Sequence, residues 1–530
     1  MTASLPPLIQ AMVQPQFYPH PVQTPIRLLQ THISYVLLTG DYAYKVKKPA
    51  DFGFLNFSTL ERRHFFCQEE LRLNQRLCPD LYLQVLGIEQ NPDASETSAG
   101  AYGWSRGEGR ICDYAIQMRQ FDQAQLFSHL FAENALTLEL MIQLGKQLAQ
   151  FHAQAATSPD ITAFGSPAAV QTIVENSYGL GQGFIGRSQT AAQFEATKAF
   201  TDQFFQEHGA WLQERQILGK IRECHGDIHL NNICLFKGLI QIFDCIEFNQ
   251  EFRNIDVIYD AAFLVMDLQF RGRPDLANTF LNAYLEWSND YQGAVLLPLY
   301  LSMRAYIRGN VNSLALNDPA IPDSDKVTIA QTAADYYHQA WAYTQPQTGA
   351  LYVMVGISGS GKSTVARQIA QQTHGIQIRS DAVRKHLAGL ALDQRGDDAG
   401  AWGTGIYTPE LTQKTYDRLL ELGIFLAKQG ATVILDAKYD RQALRQTLIS
   451  QASAKEIPLK FIYCTAPVEV LHDRLNQRQG DIADATSKIL AAQIAAFEPF
   501  SLAEQAWLHT INTTQELGPQ LGELLSSNPE

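Results

Sequence analysis

The sequence predicts two domains in tandem: an α+β domain in two lobes, then an α/β domain built on a parallel sheet. Three observations carry this. The chain has 530 residues, and single hydrophobic cores rarely grow past ~300 residues. Short strand-like runs dominate up to about residue 120, and helical periodicity takes over from Leu136 to His338. Beyond the turn-rich Thr344–Gly349, apolar strands alternate with helices, the pattern of a parallel sheet covered on both faces. The expected division is 1–343 (a small lobe to about 120, a large lobe after it), a linker at 344–350, and 351–530.

In chain order, the small lobe reads as strands at Ser34–Thr39, Tyr42–Lys47, Leu81–Ile88 and Tyr114–Arg119, with one helix at Leu60–Leu77. The large lobe opens on apolar residues at helical spacing, as in Leu138–Gln154. A hairpin interrupts it, Ile233–Phe236 then Leu239–Phe243, turning at Lys237-Gly238. The second domain offers strands at Leu351–Val355, Ile376–Arg379, Thr432–Leu435 and Leu459–Cys464.

Composition narrows the class. With 46% hydrophobic and 18% charged residues, this is an ordinary globular chain. No apolar run approaches the ~20 residues of a membrane span, and the N-terminus has no basic stretch leading into an apolar core. Seven cysteines without a CxxC pair read as reduced core thiols of a cytoplasmic protein, with no zinc site or disulfide framework. A net charge of -13 argues against nucleic acid as a partner. Oligomeric state has no signal in the sequence.

Residues 225–232 read HGDIHLNN, and Asp244 follows the hairpin in QIFDCIEF. Phosphoryl transfer to an alcohol needs a carboxylate that positions the acceptor, and oxygens that hold Mg²⁺ on the phosphates. Asp227 fits the base, and Asn232 and Asp244 fit the metal ligands; His225 would brace the loop. In YAYKVKKP, Lys45 and Lys47 share a strand face. Lys45 is the favoured phosphate contact, with Lys47 as alternate. Its helix partner would be Glu70, with Glu69 as alternate. No GxGxxG precedes this strand; Thr31, His32 and Ser34 are what could reach phosphates there. The acids Asp256, Asp260 and Asp267 read as helix caps and loop braces.

The second constellation starts at GISGSGKST, Gly356–Thr364, between an apolar strand and a helix. Its backbone N–H groups at Gly356, Ser358, Gly359, Ser360, Gly361, Lys362, Ser363 and Thr364 can wrap phosphate oxygens. Lys362 can neutralise the β/γ charge and Ser363 can ligate Mg²⁺. The next strand ends IRSDAVRK, so Asp381 can take a hydroxyl proton and Arg384 can hold an anionic part of substrate. Asp436, ending VILDAKY, would bind Mg²⁺. In LHDRLNQRQ, Arg474 and Arg478 lie at i, i+4, able to close over a transferring phosphoryl group. Ala388–Pro409, rich in Gly and Asp, reads as a substrate-covering loop.

The HGDxHxxN loop followed by a strand-end Asp resembles the aminoglycoside phosphotransferase group of the protein-kinase-like fold. The SDxxRK and RxxxR elements around the P-loop resemble the P-loop kinases grouped with polynucleotide kinase, gluconate kinase, zeta-type toxins and chloramphenicol phosphotransferase. Together, with YKVKKP, DFGFLNFSTLERR and FDCIEFN, the chain is similar to bacterial proteins described as bifunctional aminoglycoside phosphotransferase/ATP-binding proteins, also labelled AAA family ATPases. The resemblance implies a bilobal protein-kinase-like α+β domain and an α/β P-loop NTPase domain. It implies two Mg-ATP sites that phosphorylate hydroxyl groups of small molecules. Two rival readings remain: a nucleotide-binding regulator with one degenerate kinase half, and a toxin-like or nucleic-acid-end kinase in the C-terminal half.

Overall fold

The computed structural model describes residues 5–526 except 54, 92, 94, 96–99, 108, 319–320, 395–404 and 478–489. They fall into two compact units, each assembled from several stretches of chain.

Unit 1 comprises Met1–Leu136, Gln154–Thr172 and His208–Leu264. Its main sheet has six antiparallel strands: β1 (Arg27–Gln30), β2 (Ser34–Leu38), β3 (Tyr42–Lys47), β4 (Tyr82–Gln90), β5 (Tyr102–Trp104) and β6 (Arg110–Arg119), in the order β1-β2-β3-β6-β4-β5. Lys45 of the interior strand β3 lies opposite Val36 on one side and Ile116 on the other. Period-two alternation sends Tyr44 and Val46 into a core with Ile9, Leu37, Ile88 and Ala115, and Lys45 and Lys47 to the opposite face. The helix Leu60–Asn74 starts at Thr59, whose side chain accepts from Arg62 N, and its Cys67 packs in a second core with Tyr82 and Ile116.

Further along, β7 (Ile221–Glu223) supplies one half of a small antiparallel ribbon. The hairpin of β8 (Ile233–Phe236) and β9 (Leu239–Ile242) turns through Lys237 and Gly238, both at positive φ, as a tight two-residue turn requires. Asn254–Asp256, β10, completes the ribbon with β7.

Unit 2 comprises Thr137–Ala153, Ile173–Glu207 and Val265–Glu530. Its sheet holds β11 (Ala350–Val355), β12 (Ile376–Arg379), β13 (Thr432–Asp436), β14 (Leu459–Thr465) and β15 (Leu508–Asn512), in the order β12-β13-β11-β14-β15. All pairings are parallel. The central β11 is buried along its whole length, and Tyr352 and Met354 pack with Val365, Ile369, Ile462 and Ile511. The stretch 344–349 lies inside this unit, between the helix Asp323–Ala342 and β11, and Ala350 already opens that strand.

On its outer side β12 meets the helix Pro274–Ser288. Asn282 Oδ1 accepts from Gln377 N at 2.7 Å. The Nδ2 groups of Asn278 and Asn282 donate to Gly375 O at 2.9 and 3.1 Å. Two side-chain amides thus satisfy backbone groups that a neighbouring strand would otherwise take.

β1, β5, β7, β10 and β15 are strands that the sequence reading did not foresee. Each is at most five residues long, too short for alternation to register above background. Among the described residues no helix is long and apolar enough to cross a membrane. All seven cysteines are free, and all but Cys112 are buried.

Candidate active sites

In unit 1 the strand β3 and the helix Leu60–Asn74 bring two lysines onto one carboxylate. Lys45 Nζ donates to Glu70 Oε1 at 2.7 Å and to Asp244 Oδ1 at 2.6 Å. Lys47 Nζ donates to Glu70 Oε2 at 2.5 Å and also to Glu247, and lies over the Phe57 ring. Burial alone would raise the Glu70 pKa, but the two ammonium groups bring it down to about 2. Burial likewise opposes the charge on Lys45, yet Asp244 and Glu70 carry it well above its ordinary value. Burial wins at Glu247, which is raised despite Lys47. Glu69, the alternate partner, instead pairs with Arg72 at 2.8 Å.

Asp244 follows β9 at φ 64°, a left-handed conformation that Asp and Asn tolerate better than most residues. The next residue is clamped, because Cys245 N donates to Asn74 Oδ1 at 3.0 Å. The helix that carries Glu70 therefore also fixes the segment that carries Asp244.

The loop His225–Asn232 is held from below by Asp260, whose carboxylate accepts from His225 N at 3.0 Å and Gly226 N at 2.8 Å. Asp227 N, at 3.2 Å, donates to His225 Nδ1, so Nε2 carries the proton and donates to Phe243 O at 3.0 Å. Burial lowers the His225 pKa, in keeping with this neutral tautomer. Gly226 has φ 90°, and a Cβ there would lie 2.6 Å from Phe252 O, so no other residue fits. Asn232 Nδ2 donates to both the backbone O and Oδ2 of Asp227, at 3.0 Å each. His229 Nε2 stands 3.4 Å from Asp227 Oδ2.

Two neighbouring expectations resolve differently. Thr31 Oγ1 accepts from Ser34 N at 2.9 Å and Ile33 N at 3.3 Å, closing the β1–β2 turn. Ser34 is fully buried. The Thr31 hydroxyl serves the turn, while the Ser34 hydroxyl is buried without a hydrogen-bond partner among the described residues. Asp256 pairs with Arg215 at 2.7 Å and accepts from Ile258 N at 2.8 Å, while Asp267 pairs with Arg271 at 2.9 Å, both structural.

In unit 2 the turn after β11 runs into the helix Lys362–Thr373. Gly359 has φ 82°, and a Cβ on it would meet Leu471 O at 2.9 Å. Lys362 Nζ donates to Ile357 O at 2.9 Å, folded onto its own loop. Burial lowers its pKa, with Asp436 opposing. Arg474 donates to Gly359 O at 3.3 Å, and to Thr513 Oγ1 and O at 2.8 Å each. It therefore braces the loop against the Thr513 segment. Ser358 N donates to Gln493 Oε1 at 2.9 Å.

A cavity of about 1180 Å³ opens over this loop, lined by Ser358, Gly359, Gly361, Lys362, Ser363 and Thr364. Asp381, Arg384, Asp436 and Arg474 line it too, so the sequence-predicted residues of this half converge on one space. Gly356 and Ser360 are not in the lining; Ser360 is buried beneath the loop. Arg384 donates to Thr412 Oγ1 at 2.9 Å and Ile406 O at 3.3 Å, with the Tyr407 ring 4.9 Å away. Gln377 Nε2 donates to Asp436 Oδ2 at 3.0 Å. Arg478 and residues 395–404 of the expected covering loop lie outside the described residues. The volume exceeds the roughly 300–1,000 Å³ of a single ligand pocket.

The far wall of that cavity comes from residues that the sequence reading left unassigned: Gln143 and Lys146 of the helix Leu138–Gln154, and Asn282, Glu286 and Trp287 of the helix Pro274–Ser288. Lys146 lies over the Trp287 ring at 4.1 Å. No local motif marks these residues. In unit 1, Glu247 was equally silent, although its spacing of three from Asp244 was a usable signal.

Residues 67–297 match the family described as the phosphotransferase enzyme family, and residues 351–500 match the family described as the AAA domain. An uncharacterized protein of Mycobacterium tuberculosis (strain H37Rv) is 29% identical over 478 residues, covering 90% of this chain and 91% of its own. Among solved structures, an amicoumacin kinase in complex with AMP-PNP, Ca²⁺ and Ami is 14% identical with a TM-score of 0.38, over 62% of this chain and 92% of that one. A sugar kinase from Janibacter sp. is 21% identical with a TM-score of 0.27, over 34% of this chain and 94% of that one.

Proposed function

We propose that this chain, an ATP-dependent kinase joining a protein-kinase-like phosphotransferase domain to a P-loop kinase-like domain, holds two separate phosphotransfer centres acting on hydroxyl groups of small molecules. The observation that carries the first centre is Lys45 Nζ bridging Glu70 and Asp244 at 2.7 and 2.6 Å. A strand cation, a helix carboxylate and a strand-end carboxylate meet there, the parts such transfer needs.

In the first centre Lys45, oriented by Glu70, grips the nucleotide phosphates. Asp227 takes the proton of the acceptor hydroxyl as its oxygen attacks the γ-phosphorus. The bond to the β-phosphate oxygen breaks, leaving ADP and a phosphate ester. Asn232 turns Nδ2 to Asp227, keeping Oδ1 for a metal beside the Asp244 carboxylate. These hard oxygen donors fit Mg²⁺. In the second centre the backbone of Gly356–Thr364, with Lys362, cradles the phosphates, and Ser363 and Asp436 offer the metal hydroxyl and carboxylate oxygens. Asp381 accepts the acceptor proton. Arg384, Arg474 and Arg478 balance the charge of substrate and transferring group. Mg²⁺, when bound, neutralises phosphate oxygens at both centres. The functional domains in this reading are 1–343 and 351–530, joined by 344–350.

The experiment is Mg²⁺-dependent ATP turnover by the full chain, Asp227→Asn and Lys362→Ala, across sugars, nucleosides and aminoglycosides. A phosphorylated product lost in only one variant assigns that acceptor to that half. Turnover of no compound while both halves bind ATP would sink the two-kinase reading in favour of a nucleotide-binding regulator. Phosphorylation of oligonucleotide ends lost in Lys362→Ala would favour the nucleic-acid-end reading.

A further inference from the structure

Asp436 in unit 2 is not alone at the end of β13. Its Oδ2 accepts from Gln377 at 3.0 Å, and Arg379 Nε stands 3.9 Å from the same oxygen. That distance is short enough for strong attraction but too long for a hydrogen bond. On its other side Arg379 NH1 lies 3.6 Å from Glu286 Oε1. Both Arg379 and Glu286 are largely buried, with side chains 15% exposed, so water screens these charges weakly. The guanidinium is thus shared between two carboxylates. Both carboxylates line the cavity, Asp436 beside Lys362 and Ser363.

A cation resting on Asp436 competes with a metal for the same oxygens. Drawing Arg379 toward Glu286 relieves that competition. Glu286 is well placed for this, because its helix is fastened both to Gln377 of β12 and to the helix Ser380–Leu387 that follows it. Asn282 takes Gln377 N at 2.7 Å, and Glu286 O accepts from His386 Nε2 at 2.8 Å. Gln377 itself reaches Asp436, so the same helix also sets the hydrogen bond that orients the carboxylate.

We propose that Glu286 is a positioning residue for the metal site of the P-loop centre: it holds Arg379 back, so that the Asp436 carboxylate stays open to Mg²⁺. This rests on the reading of Asp436 as a magnesium ligand. It also makes a helix that precedes the P-loop by more than sixty residues part of that centre's metal chemistry.

The test uses the full chain and a fluorescent N-methylanthraniloyl-ADP probe, reading the component of binding that Lys362→Ala removes. MgCl₂ is titrated, and binding in EDTA is measured separately. Glu286→Gln should raise the magnesium needed for half-maximal binding about fivefold to tenfold, an effect of roughly one factor of ten at most. Metal-free binding should stay the same. Glu286→Gln/Arg379→Met should return the magnesium requirement to the wild-type value, and Arg379→Met alone should not raise it. A merely structural role for Glu286 would weaken binding with and without metal, and the second substitution would not repair it. An unchanged requirement in Glu286→Gln overturns the proposal, as does a raised one in Arg379→Met. Asp436→Asn separates the two levels. If it leaves the magnesium dependence untouched, the reading of Asp436 itself falls; if it shifts the dependence while Glu286→Gln does not, only the role of Glu286 falls.

Discussion

Glu223 sits among three guanidinium groups, with Arg72 at 2.7 Å, Arg76 at 3.2 Å and Arg253 at 3.3 Å. Burial would raise its pKa, but the arginines hold it down to about 2. Since the folded value lies below the unfolded ~4.3, its stabilisation is fully present above about pH 4.5. It drains away as pH falls toward 2, and amounts to on the order of 3 kcal/mol at neutral pH. Glu223→Gln should therefore unfold unit 1 more readily at pH 7, while the gap to wild type narrows from about pH 4.5 downward and is roughly halved at pH 3; urea melts at pH 7 and pH 3 would read this. At the proposed chemical centre, Asp227→Asn should lower turnover of the first acceptor by about 10²–10⁴-fold, the usual worth of a general base. Its KM for ATP should change little, because Asp227 does not grip the nucleotide in this reading. Steady-state kinetics of the purified variant would check it.

The elements that carry motifs were readable because their chemistry is local. The strand Tyr42–Lys47 was placed to the residue, and so was the hairpin turn at Lys237-Gly238. Lys45 and Lys47 could not be separated by alternation, since both point the same way. The structure brings both to Glu70 and distinguishes them by their second partners, Asp244 and Glu247. What was not legible depends on contacts distant in sequence. Asn282 and Gln377 are 95 residues apart, and nothing near Asn282 marks it. Removing that side chain leaves Gln377 N buried without its acceptor, at a cost of about 1–3 kcal/mol. Asn282→Ala should accordingly accelerate hydrogen exchange at the Gln377 amide far more than at Val353 in the central strand; exchange detected by mass spectrometry on peptides spanning each would show it.

For the whole chain, length points to more than one domain and the lack of a long apolar run to a non-membrane class, but neither says which helices keep company with which sheet. The helix Pro274–Ser288 and the sheet β11–β15 share unit 2, with residues 344–349 between them in sequence. A protein cut at 350 should consequently melt at lower temperature in both pieces than the intact chain does, the C-terminal piece losing the amides that satisfy β12. Differential scanning calorimetry of the pieces and the full chain would test this, and equal transitions would count against it. The covered flank of β12 has one more consequence. A bare edge strand recruits any passing strand, from a second copy or from a misfolded neighbour. Asn278 and Asn282 take two of the backbone groups that such recruitment would use, Gly375 O and Gln377 N, so on that side strand addition would have to displace side chains already in place, and one route to self-association in the crowd around the molecule is made costlier.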